Sequence, residues 1–473
     1  MREGLLRSQL GIAGLERSAM RRPSPTLSRR QAAGGFALRT ALASLVFSLC
    51  AVLGIDSIAA AGQSSSPISQ YGVLDRFGTA AYWPVAGLLR LANGQLWGTT
   101  SYGGSGTYPE CNGQRPGCGT VFRLIPSGKG YTFQFVHSFN GFGGSEPMGQ
   151  LVQAADGRIY GTTFTGGTGS NGLPVSSGTI FSIDPISLAF LSRVQFPTYG
   201  PRVASLSSGL VAAGRYLYGT SNANYEVNGG TIFRYGLVNG EVTTLYSFPW
   251  QINGFYDGQP NKLLLGSDGR LYGTTLEGGT YGWGQVFAIN LDGSNFTLLH
   301  SFSGTDGAFP LSELIQVGGL LYGTTWEGNA YSEGEVFSVA LDGSSFAVRH
   351  AFGPPVGGAG SQPAAAVLLG SDGNIYGTTQ YGGAENGGVA FRMALDGSSY
   401  AEIHEFGSEP GDGVYPVSAL IEDRSGVIYG TTQGGGGGPY FGSGTVFGYS
   451  STGVVSRTRL PLIPPLQVKR RFP

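Results

Sequence analysis

Charge is scarce in this chain. Of 473 residues only 12% are Asp, Glu, Lys or Arg, and the formal net charge is −1. The one basic cluster, Lys469-Arg470-Arg471, is short and terminal, and reads as a solvated end. Nucleic acid is therefore not an expected partner. Cysteine is scarcer still, with three residues, which excludes a disulfide-built scaffold and a cysteine-rich zinc site. Histidine numbers four, and His137, His300, His350 and His404 all stand two residues before a Phe. A catalytic or ligating His would stand outside such a repeat, so Ser-His-Asp chemistry and His-bound metal are set aside. Long apolar runs are limited to Thr40 to Ile55, which is short for a membrane span.

That run has eight Arg before it and Ala59-Ala60-Ala61 after it, the layout of an export segment over residues 1–61. Translation can begin at Met1 or Met20, and both the general secretory and twin-arginine routes stay open. Ser28-Arg29-Arg30 supplies the arginine pair, but Gln31-Ala32-Ala33 lacks the usual apolar residues after it. Cys50 has no lipidation context. Beyond residue 61 the chain carries 20 basic and 26 acidic residues, net −6. Cys111 and Cys118 remain, and in an exported protein a local disulfide is the expected state.

What the chain has in abundance is glycine (83), with 27 Phe and 24 Tyr. Without a collagen triplet, this suits many short strands joined by tight turns. One stretch organises them. Leu271-Tyr272-Gly273-Thr274-Thr275 or a near copy occurs seven times, its aromatic at 97, 160, 218, 272, 322, 376 and 429. The steps between copies are 63, 58, 54, 50, 54 and 53 residues. Copy four shows the unit. Lys262 to Leu265 is a short strand, Ser267-Asp268-Gly269 a turn, and Arg270 to Thr275 a second strand. A Gly-rich loop leads to a third strand, Gln285 to Ile289. Asp292-Gly293 turns into a fourth, Phe296 to Phe302. Within the third, Val286 and Ala288 face one way, Phe287 and Ile289 the other. A unit this small cannot bury both faces alone. The expectation is an all-β, seven-bladed β-propeller of four antiparallel strands per blade, spanning 62–460, with a tail at 461–473. The glycine after each aromatic is expected to allow close approach near the axis. Two segments, 73–77 and 454–460, both resemble fourth strands, and both are expected to clasp blade seven.

The Tyr-Gly-Thr-Thr, Gly-Gly, Gly-x-Val-Phe and His-Ser-Phe elements together resemble the GloVer tandem repeat of exported bacterial proteins, over about 78–460. Kelch-type propellers are a weaker likeness, sharing a ~50-residue period and a double glycine. The GloVer resemblance implies an extracellular, periplasmic or cell-surface location and no known enzymatic activity. Members often carry a C-terminal sorting anchor. Leu462 to Pro473 has no apolar span, so no transmembrane anchor is expected here.

The short connections are mostly Asp-Gly turns, while second-to-third and fourth-to-first loops are long. From second-strand aromatic to third-strand Phe the spacings are 25, 21, 15, 15, 15, 15 and 18, so blades one, two and seven carry insertions. Both sets of long loops emerge on one face, where function is expected. Candidate ligand-binding residues there are Trp83, Tyr108, Trp250, Tyr256, Trp283, Trp326, Tyr331, Tyr381 and Tyr440, suited to stacking on sugars or anchoring a protein. The recurring Asp residues read as turn formers, with oxygen-ligated Ca²⁺ a secondary reading. No catalytic residue, cofactor or metal is otherwise expected. The expected function is that of a monomeric binding module for an extracellular glycan or protein. An alternative is a carbohydrate-active enzyme using Asp257, Asp306 and Glu327. A structural or adhesive envelope protein is a third reading.

Overall fold

The computed structural model describes residues 70–450, apart from 78–80, 107–116, 129, 169–177, 197–205, 207, 223–228, 250, 253–254, 257, 354–358 and 438–441. Blade four shows the common plan. Leu264–Leu265, Arg270–Glu277, Gln285–Asn290 and Thr297–Ser301 lie side by side in that order, each antiparallel to the next. Seven sheets repeat this order and form a seven-bladed propeller, as expected. No helix among the described residues is long and apolar enough to cross a membrane.

The core lies between blades. Val286 and Ala288 pack toward blade five with Phe337 and Val339, while Phe287 and Ile289 pack toward blade three with Ile232 and Phe248. The two faces of one strand thus serve two interfaces, which is the alternation read from the sequence. The seventh interface closes the ring. Leu74, Tyr429 and Val446 of blade seven bury against Leu88, Leu96 and Phe122 of blade one.

Blade seven is completed by the N-terminal strand Gln70–Arg76, paired antiparallel with Thr445–Ser450. Its register shifts between Val73 and Asp75, opposite Phe447, where the fourth strand of blade four also bulges opposite its third-strand Phe287. The N-terminal segment is therefore a true fourth strand, and the clasp expected for 73–77 is present. The edge of Thr445–Ser450 is taken by Gln70–Arg76. The other segment expected to clasp blade seven, 454–460, lies outside the described residues.

The repeated glycine also has a different cause from the one expected. A Cβ on Gly273 would sit 2.6 Å from Phe287 Cζ, and the same holds for Gly161 against Phe181 at 2.4 Å and Gly430 against Phe447 at 2.5 Å. The close approach is to the cross-strand Phe of the same blade, not between blades at the axis. The Thr that follows it stitches neighbours together. Thr162, Thr220, Thr274 and Thr324 Oγ1 donate to the carbonyls of Ser208, Asn261, Ser312 and Ala365 in the next blade. Near the axis, Lys262 Nζ of blade four meets Gln150 of blade two and Glu313 of blade five.

The four His rings are structural. His137, His300 and His350 stack on Phe190, Phe346 and Tyr400 of the following blade at 3.6–3.9 Å, and His404 stacks on Tyr71 at 3.4 Å. Burial lowers the imidazole pKa of His137 to about 4 and also lowers those of His300 and His350.

Candidate functional site

The long-loop face is built on a ring of strained residues. Trp83, Glu146, Gln259, Phe309, Gln362 and Tyr415 each adopt a positive φ of 54–63° and each directly precedes a proline. Such backbone costs on the order of 1–3 kcal/mol per residue and persists where its surroundings over-determine it. Here they do. The Phe309 amide donates to the Trp283 carbonyl of blade four, and its own carbonyl accepts from Trp326 of blade five. Trp83, Glu146, Gln362 and Tyr415 make the same pair of bonds at their boundaries. The backbone is held constant while the side chain changes from Trp to Glu, Gln, Phe, Gln and Tyr. The sequence reading found Trp83 for its ring and missed the ring of positions. Its signal was the proline four or five residues before the first strand of six blades.

The predicted aromatics are distributed in local groups around this ring. Trp83 is half-buried and 5.6 Å from Tyr102. Tyr381 is half-buried and meets Tyr415 edge-on across the next blade boundary at 5.5 Å. Trp283 stays 40% exposed and meets Phe309 edge-on at 5.2 Å. Tyr331 is 58% and Tyr281 53% exposed. Trp326 is half-buried, with its indole Nε1 inaccessible and without a hydrogen-bond partner among the described residues. Tyr108, Trp250 and Tyr440 lie outside the described residues, as does the side chain of Tyr256. Cys118 is fully buried, and Cys111 lies outside the described residues. Most of the insertions of blades one, two and seven do so too. The open aromatic group among the described residues belongs to blades four and five.

The carboxylates near this group divide by role. Asp306 Oδ1 accepts from the Ser303 amide at 2.8 Å and hydroxyl at 2.7 Å, and Oδ2 faces His300 Nε2 at 3.1 Å, so it is a turn former. Asp257 lies outside the described residues. Burial raises the pKa of Glu277. Glu335 is the residue that sequence reasoning missed. It opens the third strand of blade five and is 2% exposed. Equivalent positions hold Thr120, Thr179, Thr231, Gln285, Val389 and Thr445. In four blades a hydroxyl pair closes this spot, as Thr100 and Thr120 do at 2.7 Å and Thr432 and Thr445 at 2.8 Å. In blade five Glu335 faces Thr325, and neither Glu335 Oε2 nor Thr325 Oγ1 has a hydrogen-bond partner among the described residues. Burial, with Asp306 adding to it, pushes the Glu335 carboxyl up to about 7. No group of three or more His, Cys, Asp or Glu able to hold a metal occurs among the described residues.

The profile of the Gloeobacter/Verrucomicrobia repeat matches residues 64–258, 110–337 and 259–460. The chain belongs to this repeat family. No curated protein matches the sequence. Among solved structures, the Gloeobacter/Verrucomicrobia repeat chain is similar to the extracellular domain of a protein assigned as a one component system from B. thetaiotaomicron. The TM-score is 0.52 at 12% identity, covering 80% of this chain. The matched region is 39% of that protein, so the likeness speaks for the propeller alone. An oligogalacturonate lyase from Vibrio parahaemolyticus superposes with a TM-score of 0.49 at 9% identity, covering 81% of this chain and 96% of that one.

Proposed function

We propose that this repeat protein is an exported recognition module that binds a glycan on its long-loop face. The observation that carries the reading is the exposed group Tyr281, Trp283 and Tyr331, on loops of adjacent blades tied together through Phe309. Flat, exposed, lightly charged rings on a fixed backbone suit stacking on sugar faces, because little side-chain entropy is lost on binding. Trp283→Ala is expected to weaken binding about tenfold, the loss of roughly one stacked ring. A glycan array followed by titration of the best oligosaccharide reads this directly. Absence of any glycan hit, or equal affinity after Trp283→Ala, would count against it.

Export through residues 1–61 and a Cys111–Cys118 crosslink belong to the same reading. The intact mass of the secreted protein, alkylated without reductant, tests both. Alkylation of both cysteines, or a retained leader, would contradict them.

One observation favours a second reading, an extracellular carbohydrate-active enzyme. Glu335 is a buried carboxyl raised toward neutrality beside Asp306, the arrangement that general acids use. Release of oligosaccharides from a polysaccharide, lost in Glu335→Gln, would replace the binding-module reading with this one.

A further inference from the structure

The opposite face carries a second feature, found by comparing blade three with its six siblings. Elsewhere the hairpin between first and second strands places a Gly three residues before the second-strand aromatic: Gly94, Gly157, Gly269, Gly319, Gly373 and Gly426. Blade three has Arg215 there. The hairpin of blade three has also lost its turn aspartate. In blades two, four, six and seven that aspartate accepts the tyrosine hydroxyl, from Tyr160 to Asp156, Tyr272 to Asp268, Tyr376 to Asp372 and Tyr429 to Asp423. Blades one and five satisfy the aromatic otherwise, through Gln95 and the Leu395 carbonyl. Tyr218 of blade three has no acceptor among the described residues, and Arg234 lies close enough to act electrostatically on its hydroxyl.

Around these groups lies a groove of about 520 Å³, walled by Tyr216, Tyr218, Arg215 and Arg234 and closed by Leu291 and Asp292 of blade four. The guanidinium carbons of Arg234 and Arg215 stand 5.0 and 5.6 Å from the Tyr216 ring centre. Neither guanidinium is hydrogen-bonded or ion-paired among the described residues. Asp292 is held chiefly by its own turn, its Oδ1 accepting from the Ser294 amide at 2.9 Å and hydroxyl at 2.6 Å, and Arg234 acts on it electrostatically without a direct ion pair. Three donors therefore converge where four sibling blades present an acid. Two guanidinium forks without a direct hydrogen-bond partner favour an oxyanion, and Leu291 with the edge of Tyr216 favours a ring beside it. The volume falls within the range of small-molecule sites.

The geometry points to a binding groove for a small anionic sugar, a sugar acid or a sugar phosphate, between blades three and four on the short-turn face. The anionic group lies between Arg215 and Arg234 and accepts from Tyr218 Oη, and the sugar ring rests against Leu291 and the edge of Tyr216. The site is independent of the long-loop face.

Calorimetric titration of the mature protein with glucuronate, glucose 6-phosphate, glucose and inorganic phosphate tests this. Measurements at about 20 and about 200 mM salt separate screened charge contacts from the rest. Saturable binding of one or both sugar anions is expected, weaker at the higher salt, with none for glucose. The carboxylate and phosphate arms identify the anion source. The double change Arg215→Gly with Arg234→Ser uses residues that sibling blades carry at these positions, and is expected to weaken binding at least about tenfold. Asp292→Asn removes the one acid at the groove and is expected to tighten binding a few-fold, which guards against a misfolded double variant. No saturation by either sugar anion, unchanged affinity in the double variant, glucose binding as well as the anions, or inorganic phosphate binding as tightly as the sugar anions would each overturn the assignment.

Discussion

Replacing Asp412 by Ala is expected to lower the unfolding free energy by about 3–5 kcal/mol, the usual cost of removing one partner from a buried charged network. Its side chain is 1% exposed and all of its bonding capacity is in use. Oδ1 accepts from Tyr71 Oη at 2.5 Å and from the Gly413 amide at 2.7 Å. Oδ2 accepts from the Gly407 amide at 2.9 Å and meets His404 Nε2 at 3.0 Å. Tyr71 belongs to the clasp strand, while His404 belongs to blade six. The carboxylate therefore fastens the N-terminal strand to a neighbour other than its own sheet. Burial and then Asp412 hold the Tyr71 hydroxyl well above its ordinary pKa, so it remains a donor. Blade four supplies the control. Asp306 makes the matching contact with His300 but is 30% exposed, so Asp306→Ala should cost far less. Urea unfolding of the two variants followed by Trp fluorescence gives the comparison. Equal losses, or a loss below about 1 kcal/mol for Asp412→Ala, would show that the clasp does not rest on this residue.

Most of this ring was legible in the sequence because its causes are local. Asp-Gly turns set the hairpins, and alternation sorts Phe287 from Val286 onto two interfaces. The period of the Tyr-Gly-Thr-Thr copies counts the blades. What the sequence misread depends on contacts distant in the chain. Gly273 is flanked by ordinary strand residues, and only the cross-strand register places Phe287 against it. Of the two segments with the pattern of a closing strand, Gln70–Arg76 takes the edge of Thr445–Ser450, a pairing distant in the chain that no local pattern announces.

The candidate sites were less legible, and for a different reason. A search for chemistry by residue type favours Trp, His and Asp, but the repeat gives most of these structural work. The informative residues are those that break the repeat. Arg215 replaces a turn glycine, Glu335 replaces a hydroxyl, and the strained positions from Trp83 to Tyr415 vary in side chain over one fixed backbone. Aligning the seven copies position by position would have exposed the first two. The strain itself was hidden, because a positive φ before proline leaves no mark beyond the proline.

Glu335→Gln is expected to stabilise the protein by about 2 kcal/mol at pH 8 and to change little at pH 4, an asymmetry that follows from the sign of the shift. The carboxyl is raised from 4.5 to about 7 in the folded state. Between these values the unfolded chain has released a proton that the folded chain still holds. Stability is thus fully present below pH 4.5 and lost, at up to about 1.4 kcal/mol per pH unit, as pH rises toward 7. The full span is discounted because charges inside proteins are screened more than a dry interior would allow. Asp75 in the clasp strand, raised by burial to about 6, tilts stability the same way over a lower window and is untouched by this change. Glutamine is already accommodated at the matching place in blade four, where Gln285 is 5% exposed, so overpacking is not the outcome anticipated. Urea midpoints of both proteins from pH 4 to pH 8 provide the test. The wild-type curve should fall more steeply than that of Glu335→Gln from pH 4.5 to 7 and run parallel to it above. Parallel curves throughout would mean that Glu335 ionises in the folded ring as it does in water, and its buried place opposite Thr325 would then carry no energetic consequence.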